Sequence, residues 1–175
     1  MADKNSSGYL WGPHNLDGIS AGLLALMFDQ ASKLWLLYSF DLATRSPVSI
    51  LPFLDLALTW NKGISYGLFQ QDGPLGQWLL LALKGIAVAL LWIWMSRAGT
   101  RLTALALGLV IGGALGNAVD RIAYGAVMDF AHLHLFAAGV NLSWYVFNLA
   151  DVAVVAGVAV LLYDSLWGDG AAKAP

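Results

Sequence analysis

Four stretches of about twenty mostly apolar residues constrain this chain more than any other feature, because that is the length a helix needs to cross the hydrocarbon core of a bilayer. They run roughly from Leu16 to Phe40, Leu75 to Ser96, Leu102 to Val119 and Val146 to Leu166. Six of the eight tryptophans, Trp35, Trp78, Trp92, Trp94, Trp144 and Trp167, fall near these boundaries, where an amphipathic ring sits at the headgroup level. Hydrophobic residues make up 59% of the chain and charged ones 11%, against roughly 25% charged in soluble domains. The expected fold class is an all-α membrane protein, a single domain over residues 1–175 with four transmembrane helices and a small β-rich loop region outside the bilayer.

The first stretch is too long, too far from Met1 and too poor in basic flanking residues for a removable signal peptide, so it is expected to remain as an anchor. The polar segments 1–13 and 168–175 are expected to be mobile tails. Four spans put both termini on one side, and Arg97 and Arg101 in the short connection between the second and third spans assign that side to the cytoplasm. Two larger loops, about 41–74 and 120–145, then lie outside. Val48 to Trp60, interrupted by Pro52, reads as one or two short edge strands, and Phe130 to Phe147 as a strand or an interfacial segment.

Composition also narrows the chemistry. A net charge of -2 without a basic tract offers no footprint for nucleic acid. The lack of cysteine removes thiol nucleophiles, thiolate metal sites and disulfides. All eleven acidic residues are aspartates, so any carboxylate chemistry comes from a short side chain that follows its backbone closely.

Ionisable groups inside a membrane are costly unless paired or hydrated, which makes them functional candidates. They gather where the third span ends, in Gly112-Gly-Ala-Leu-Gly-Asn-Ala-Val-Asp-Arg121 continuing to Asp129-Phe130, and where the fourth begins, in Phe147-Asn-Leu-Ala-Asp151. Three-residue spacing puts Asn117 with Asp120, and Asn148 with Asp151, on common helical faces. Glycines 112, 113 and 116 allow a neighbouring helix to come close. Asp151, about five residues into its helix, is expected only ~7 Å below the outer end, within reach of water. Spacing alone pairs Asp120 with Asp151, and leaves Asp129 on the returning loop. Two neighbouring carboxylates share a proton, so that one serves as base toward water and the other as acid toward a carbonyl. The same residues taken singly also suit helix caps, an Asp120–Arg121 ion pair and a turn, and taken together they also suit a proton relay of a transporter.

Three further features stand apart. Asp29 and Lys33, one turn apart in the first span, suit mutual neutralisation, and Lys84 at a similar depth is a candidate partner for Asp29. His132 and His134, alternating on a strand after Asp129, suit either headgroup contact or a metal.

Read in order, five motifs resemble the lipoprotein signal peptidases, also called signal peptidase II, over nearly the whole chain. They are Asp29-Gln-x-x-Lys33, Asn61-Lys-Gly-Ile-Ser-Tyr-Gly67, Gly116-Asn-x-x-Asp-Arg121, Val127-Met-Asp-Phe130 and Phe147-Asn-x-Ala-Asp151. The resemblance implies an aspartic endopeptidase of the bacterial inner membrane that cuts diacylglyceryl-modified prolipoproteins just before the lipidated cysteine. It implies that Asp129 and Asp151 form the catalytic dyad, that Asn117, Asp120, Arg121 and Asn148 support the site, and that Asn61 and Gly63 help to hold substrate. It also implies no metal or organic cofactor, and inhibition by globomycin. A monomer is the expected state. One departure is that Ser65-Tyr66-Gly67 stands where the family usually has Ala-Phe-Gly.

Overall fold

The computed structural model describes residues 10–63, 74–137 and 140–167, so the departure at Ser65, Tyr66 and Gly67 lies outside the described residues. In chain order the elements are α1 (Asn15–Leu34), extended by a π-helical turn (Trp35–Ser39), the short α2 (Leu42–Arg45), β1 (Val48–Leu51) and β2 (Leu54–Asn61). There follow α3 (Pro74–Ser96), α4 (Arg101–Tyr124), β3 (Val127–Ala137), β4 (Val140–Phe147) and α5 (Leu149–Trp167). Three described helices, α3 from Gly76, α4 and α5, are long and apolar enough to cross a membrane. The sequence suggested four. The first, α1, carries Asp17, Asp29 and Lys33 within its 20 residues, which lowers its mean hydropathy.

Both ends of α4 are written locally. Thr100 caps the start, its hydroxyl accepting from the Thr103 amide at 3.0 Å. Gly125 ends it in the left-handed region at φ 73, with its amide bonded to the Arg121 carbonyl at 3.0 Å. The helix is longer than the apolar run, and Asp120 and Arg121 lie within its last turns.

The outer segments form one antiparallel sheet in the order β1-β2-β3-β4. Asp129, expected on a loop, sits on β3 opposite Thr59 of β2, and Ala131 pairs with Phe147 of β4. The segment from Phe130 to Phe147 thus contributes two paired strands, because Leu, Val, Phe and aromatic residues there favour a pleated, half-buried surface. The helices α1 and α4 end at this sheet and α3 and α5 leave from it, so it covers one end of the bundle. Met128 and Phe130 anchor it by packing with Leu36 and Leu42 beneath.

The eight tryptophans divide between the two ends. Trp35, Trp60, Trp78 and Trp144 belong to the sheet end, and Trp11, Trp92, Trp94 and Trp167 to the other. The segment just ahead of α1, expected as part of a mobile tail, is tied down at that far end: the Trp92 indole donates to the Leu10 carbonyl at 3.2 Å, and the Trp11 and Trp92 rings lie 6.4 Å apart.

Parallel packing of α1 and α4 is closer than ordinary side chains allow. A Cβ added to Gly108 or Gly112 would collide with the backbone of Gly18 or Gly22, so the two helices touch main chain to main chain. Gly85 on α3, by contrast, has nothing within 4 Å of an added Cβ. Gly112→Val should therefore lower the melting temperature in detergent, with a cost of about 1–3 kcal/mol or more from overpacking. Gly85→Ala should leave it unchanged or raised. Equal tolerance at both positions would contradict the close α1–α4 contact.

Candidate functional site

Seven ionisable side chains meet below the sheet, and they divide by what binds them. Lys33 on α1 lies 2.8 Å from Asp29 Oδ2 and 2.8 Å from Asp120 Oδ2, and donates to Asn117 Oδ1 at 3.3 Å. All three charged groups are buried, with 2% exposure for Lys33, 0% for Asp29 and 1% for Asp120. Gln30 adds donations to Asp29 at 3.1 Å, to Asp120 at 2.9 Å and to the Gly116 carbonyl at 3.1 Å. The remaining oxygens accept backbone amides, Asp29 Oδ1 from Ala150 at 2.9 Å and Asp120 Oδ2 also from Met128 at 3.0 Å. These two carboxylates are fully occupied in holding α1, α4, β3 and the start of α5 together. The suggested Asp120–Arg121 pair is replaced by Asp120–Lys33, because consecutive helical residues point about 100° apart.

Asp129 and Asp151 are bound differently, by neutral amides. Asp129 Oδ2 accepts from Asn61 at 3.2 Å, and Asp129 Oδ1 accepts from Asn148 Nδ2 at 2.6 Å. Asp151 Oδ1 accepts from Asn117 at 2.9 Å. Asn148 is the hub: its Nδ2 also reaches Asn117 Oδ1 at 3.0 Å and the Met128 carbonyl at 3.3 Å. Asn148 precedes α5 as its cap, accepting from the Asp151 amide at 3.0 Å while Asp151 Oδ2 accepts from the Asn148 amide at 3.3 Å. Capping and site-building, which the sequence offered as alternatives, are here the same contacts. Asp151 is the third residue of α5, shallower than the fifth position expected.

Both of these carboxylates open onto space. A cavity of about 240 Å³ is lined by Asn61, Lys84, Asn117, Arg121, Asp129 and Asp151 among others. A larger one of about 560 Å³, walled by Val152, Val155 and other apolar residues of α5 and by Trp144 and Phe147 of β4, also reaches Asn61, Asp129 and Asp151. Burial pushes the Asp129 carboxyl up from the usual 3.8 to about 6, helped by the Asp151 charge and opposed by the Asn61 and Asn148 bonds and by Lys33.

Arg121 reaches away from Asp120, its guanidinium donating to the Gly63 carbonyl and to Gln77 at 3.2 Å. Gly63 is folded back by its amide bond to Asn61 Oδ1 at 3.0 Å, so Asn61, Gly63 and Arg121 form one connected wall. The spacing argument that paired Asp120 with Asp151 fails because Lys33 and Gln30 hold Asp120. Lys84, suggested as a partner for Asp29, lines the cavity instead. The histidines turn to the sheet, His132 to Ser143 at 2.7 Å and His134 to Asp55 at 3.0 Å. Among the described residues no group of three metal-ligating side chains is placed to hold an ion. The sequence gives Gln30 no role beyond its place in Asp29-Gln-x-x-Lys33, although two charges and an amide within one turn of a spanning segment are the available signal.

Carboxylates lining cavities at one end of a bundle of membrane-length helices define an integral membrane protein with a polar site at that end. Residues 21–167 match the family model for signal peptidase (SPase) II. A lipoprotein signal peptidase of Rhodopseudomonas palustris is 60% identical over 158 residues, 90% of this chain and 96% of its own. One of Nitrobacter hamburgensis is 61% identical over 158 residues, with the same coverage. Two solved structures described as bacterial membrane enzymes share the fold, with TM-scores of 0.69 and 0.68 at 23% and 22% identity. They cover 90% and 91% of this chain, which in turn covers 91% and 98% of theirs. The chain belongs to the signal peptidase II family, a family of proteases.

The two kinds of carboxylate give two predictions. Lys33→Met leaves Asp29 and Asp120 buried without their cation, and should cost about 3–5 kcal/mol, read as a large fall in melting temperature. Asp129 binds protons more tightly folded than unfolded, so its contribution to stability is largest below pH ~4 and is lost as pH rises through about 6, by ~3 kcal/mol at most. Stability measured from pH 4 to 8 should decline more steeply in wild type than in Asp129→Asn. Parallel curves would show that Asp129 titrates normally.

Proposed function

We propose that this chain is a lipoprotein signal peptidase that hydrolyses diacylglyceryl-modified prolipoproteins immediately before the lipidated cysteine, with Asp129 and Asp151 as its aspartate dyad. The observation that carries the reading is that the two carboxylates held by amides alone are the two shared by both cavities. A carboxylate neutralised by a buried lysine is a poor base; one held by neutral donors keeps its basicity and can exchange a proton with substrate.

In this mechanism Asp129, with its raised proton affinity, carries the shared proton, and Asp151 takes a proton from water. The hydroxide attacks the scissile carbonyl carbon while Asp129 gives its proton to the carbonyl oxygen. The tetrahedral diol collapses when Asp151 passes its proton to the amide nitrogen of the cysteine and Asp129 recovers one from the diol hydroxyl. The C–N bond breaks, the signal peptide leaves with a new carboxyl group, and the dyad returns to its starting state. Asn117 and Asn148 fix the carboxyl planes. Asn61 and Gly63, braced by Arg121, offer an edge for the extended peptide. The apolar cavity beside α5 suits the hydrophobic side of the substrate.

The same reading treats α1 as a fourth span. Its Asp29 and Lys33 point inward, while Leu23, Leu24, Met27 and Phe28 are exposed outward, the reverse of a soluble helix. The sheet end then faces outward from the bacterial inner membrane and both termini lie in the cytoplasm, on the side of Arg97 and Arg101. The enzyme works as a monomer without metal or organic cofactor, and globomycin-type inhibitors occupy the dyad.

The test is incubation of purified enzyme with a diacylglyceryl-modified prolipoprotein, followed by mass spectrometry. Wild type should release the signal peptide before the modified cysteine, with activity surviving a chelator. Asp129→Asn and Asp151→Asn should each lose at least ~10³-fold while remaining folded. An intact substrate with wild type, under conditions where a relative cuts it, would overturn the proposal.

A further inference from the structure

Lys84 is the one cation of the site without a hydrogen bond or ion pair among the described residues. It lies on α3, in the eleventh position of a 23-residue helix whose neighbours Leu83 and Ile86 are exposed. That places it ~15 Å along the helix from the end nearest the sheet. An ammonium at such depth costs several kcal/mol unless hydrated or balanced by charge. Its surroundings are the cavity it shares with Asp129, Asp151, Arg121, Asn61 and Asn117.

The charges facing this cavity and the cluster behind it come from every element packed there. Lys33 and Asp29 come from α1, Lys84 from α3, Asp120 and Arg121 from α4, Asp129 from β3 and Asp151 from α5. Tyr145 of β4 is a further titratable group, on the wall of the larger cavity. The three cations face four carboxylates. With every carboxylate ionised the assembly carries one net negative charge, and one proton on the dyad makes it neutral. Without Lys84, neutrality would require two protons, and the dyad would hold no base. Asp29 and Asp120 are already engaged by Lys33 and backbone amides, which leaves Asp129 and Asp151 facing the cavity.

We infer that Lys84 is a positioning residue whose charge keeps the Asp129–Asp151 dyad in its singly protonated form. The inference rests on the peptidase reading above and adds to it the group that sets the working pH. Lys84 does not touch the scissile bond; it acts through the field it places on the two carboxylates.

Because the chain contains no cysteine, Lys84→Cys introduces a unique thiol. One purified, folded preparation can then be alkylated with 2-bromoethylamine, which restores an ammonium, or with iodoacetamide, which leaves the position neutral. The pH profile of kcat/KM for prolipoprotein cleavage is compared across wild type, both adducts and the control Arg45→Met. Removing a positive charge raises the affinity of the dyad for protons. The neutral adduct should therefore move the whole bell to higher pH by about one unit, costing about tenfold on its acid limb. The aminoethylated enzyme and Arg45→Met should keep the wild-type midpoints. Identical midpoints for the two adducts, with or without a uniform drop in rate, would overturn the inference and leave the peptidase reading intact. Should wild type itself fail to cleave, the peptidase reading falls. Infrared titration of the Asp129 carboxyl band, assigned with Asp129→Asn, then decides: a higher midpoint only in the neutral adduct supports the charge effect, and equal midpoints reject it.

Discussion

A single buried ammonium holds this molecule together at its functional end. Lys33 is 2.8 Å from both Asp29 and Asp120, and those carboxylates carry the connection on to the first amide groups of α5 and to β3. In the low dielectric of the bundle such a cluster is strong only when every lone pair is used, and here Gln30 and the backbone complete it. Its main effect is geometric. Four segments distant in sequence, α1, α4, β3 and the start of α5, are joined at this one point. The glycine contacts between α1 and α4 serve the same end, bringing the two backbones close enough for Lys33 to reach Asp120 without stretching.

Against that rigid block, Asp129 and Asp151 are held with a lighter hand. Amides orient Asp129 and Asp151 without a cation bound to either, and both cavities are lined by the two residues. Identical side chains, all aspartate, thus sit in two environments, one faced by a lysine and the other by asparagines. The lysine-bound pair comes from α1 and α4 and the amide-bound pair from β3 and α5, and Asn117 and Asn148 stand between the two groups.

Much of this was legible in the sequence. Span lengths, tryptophan positions and five ordered motifs indicated a membrane bundle, and polar residues at the facing ends of the last two helices indicated where its site lies. What escaped the sequence has physical reasons. Asp129 was expected on a loop because its strand partners, Thr59 and its neighbours on β2, are some seventy residues away, and pairing over such a distance leaves no local pattern. Asp120 was a plausible partner for Asp151 by helical spacing, but spacing gives a face and says nothing of which cation occupies it. The first helix is expected from its length to be a span like the others, yet Asp17, Asp29 and Lys33 lower its hydropathy, since a helix that carries buried charges cannot also be uniformly apolar. Lys84 is expected from its depth to partner Asp29, and the structure instead puts it on the wall of the cavity that Asp129 and Asp151 also line.

The double duty of Asn148 bears on how such a site can change under selection. Its amide nitrogen grips Asp129 and Asn117, while its amide oxygen starts α5. A small molecule that binds between Asp129 and Asp151 by bonding to Asn148 therefore rests on a side chain with almost no permitted replacements: aspartate would set a third carboxylate against the pair, serine would be too short to bridge it, and alanine would uncap the helix. Escape from such a compound must come from the cavity walls of β4 and α5, where apolar residues can be exchanged, and compounds that draw most of their affinity from those walls would be the first to lose their hold.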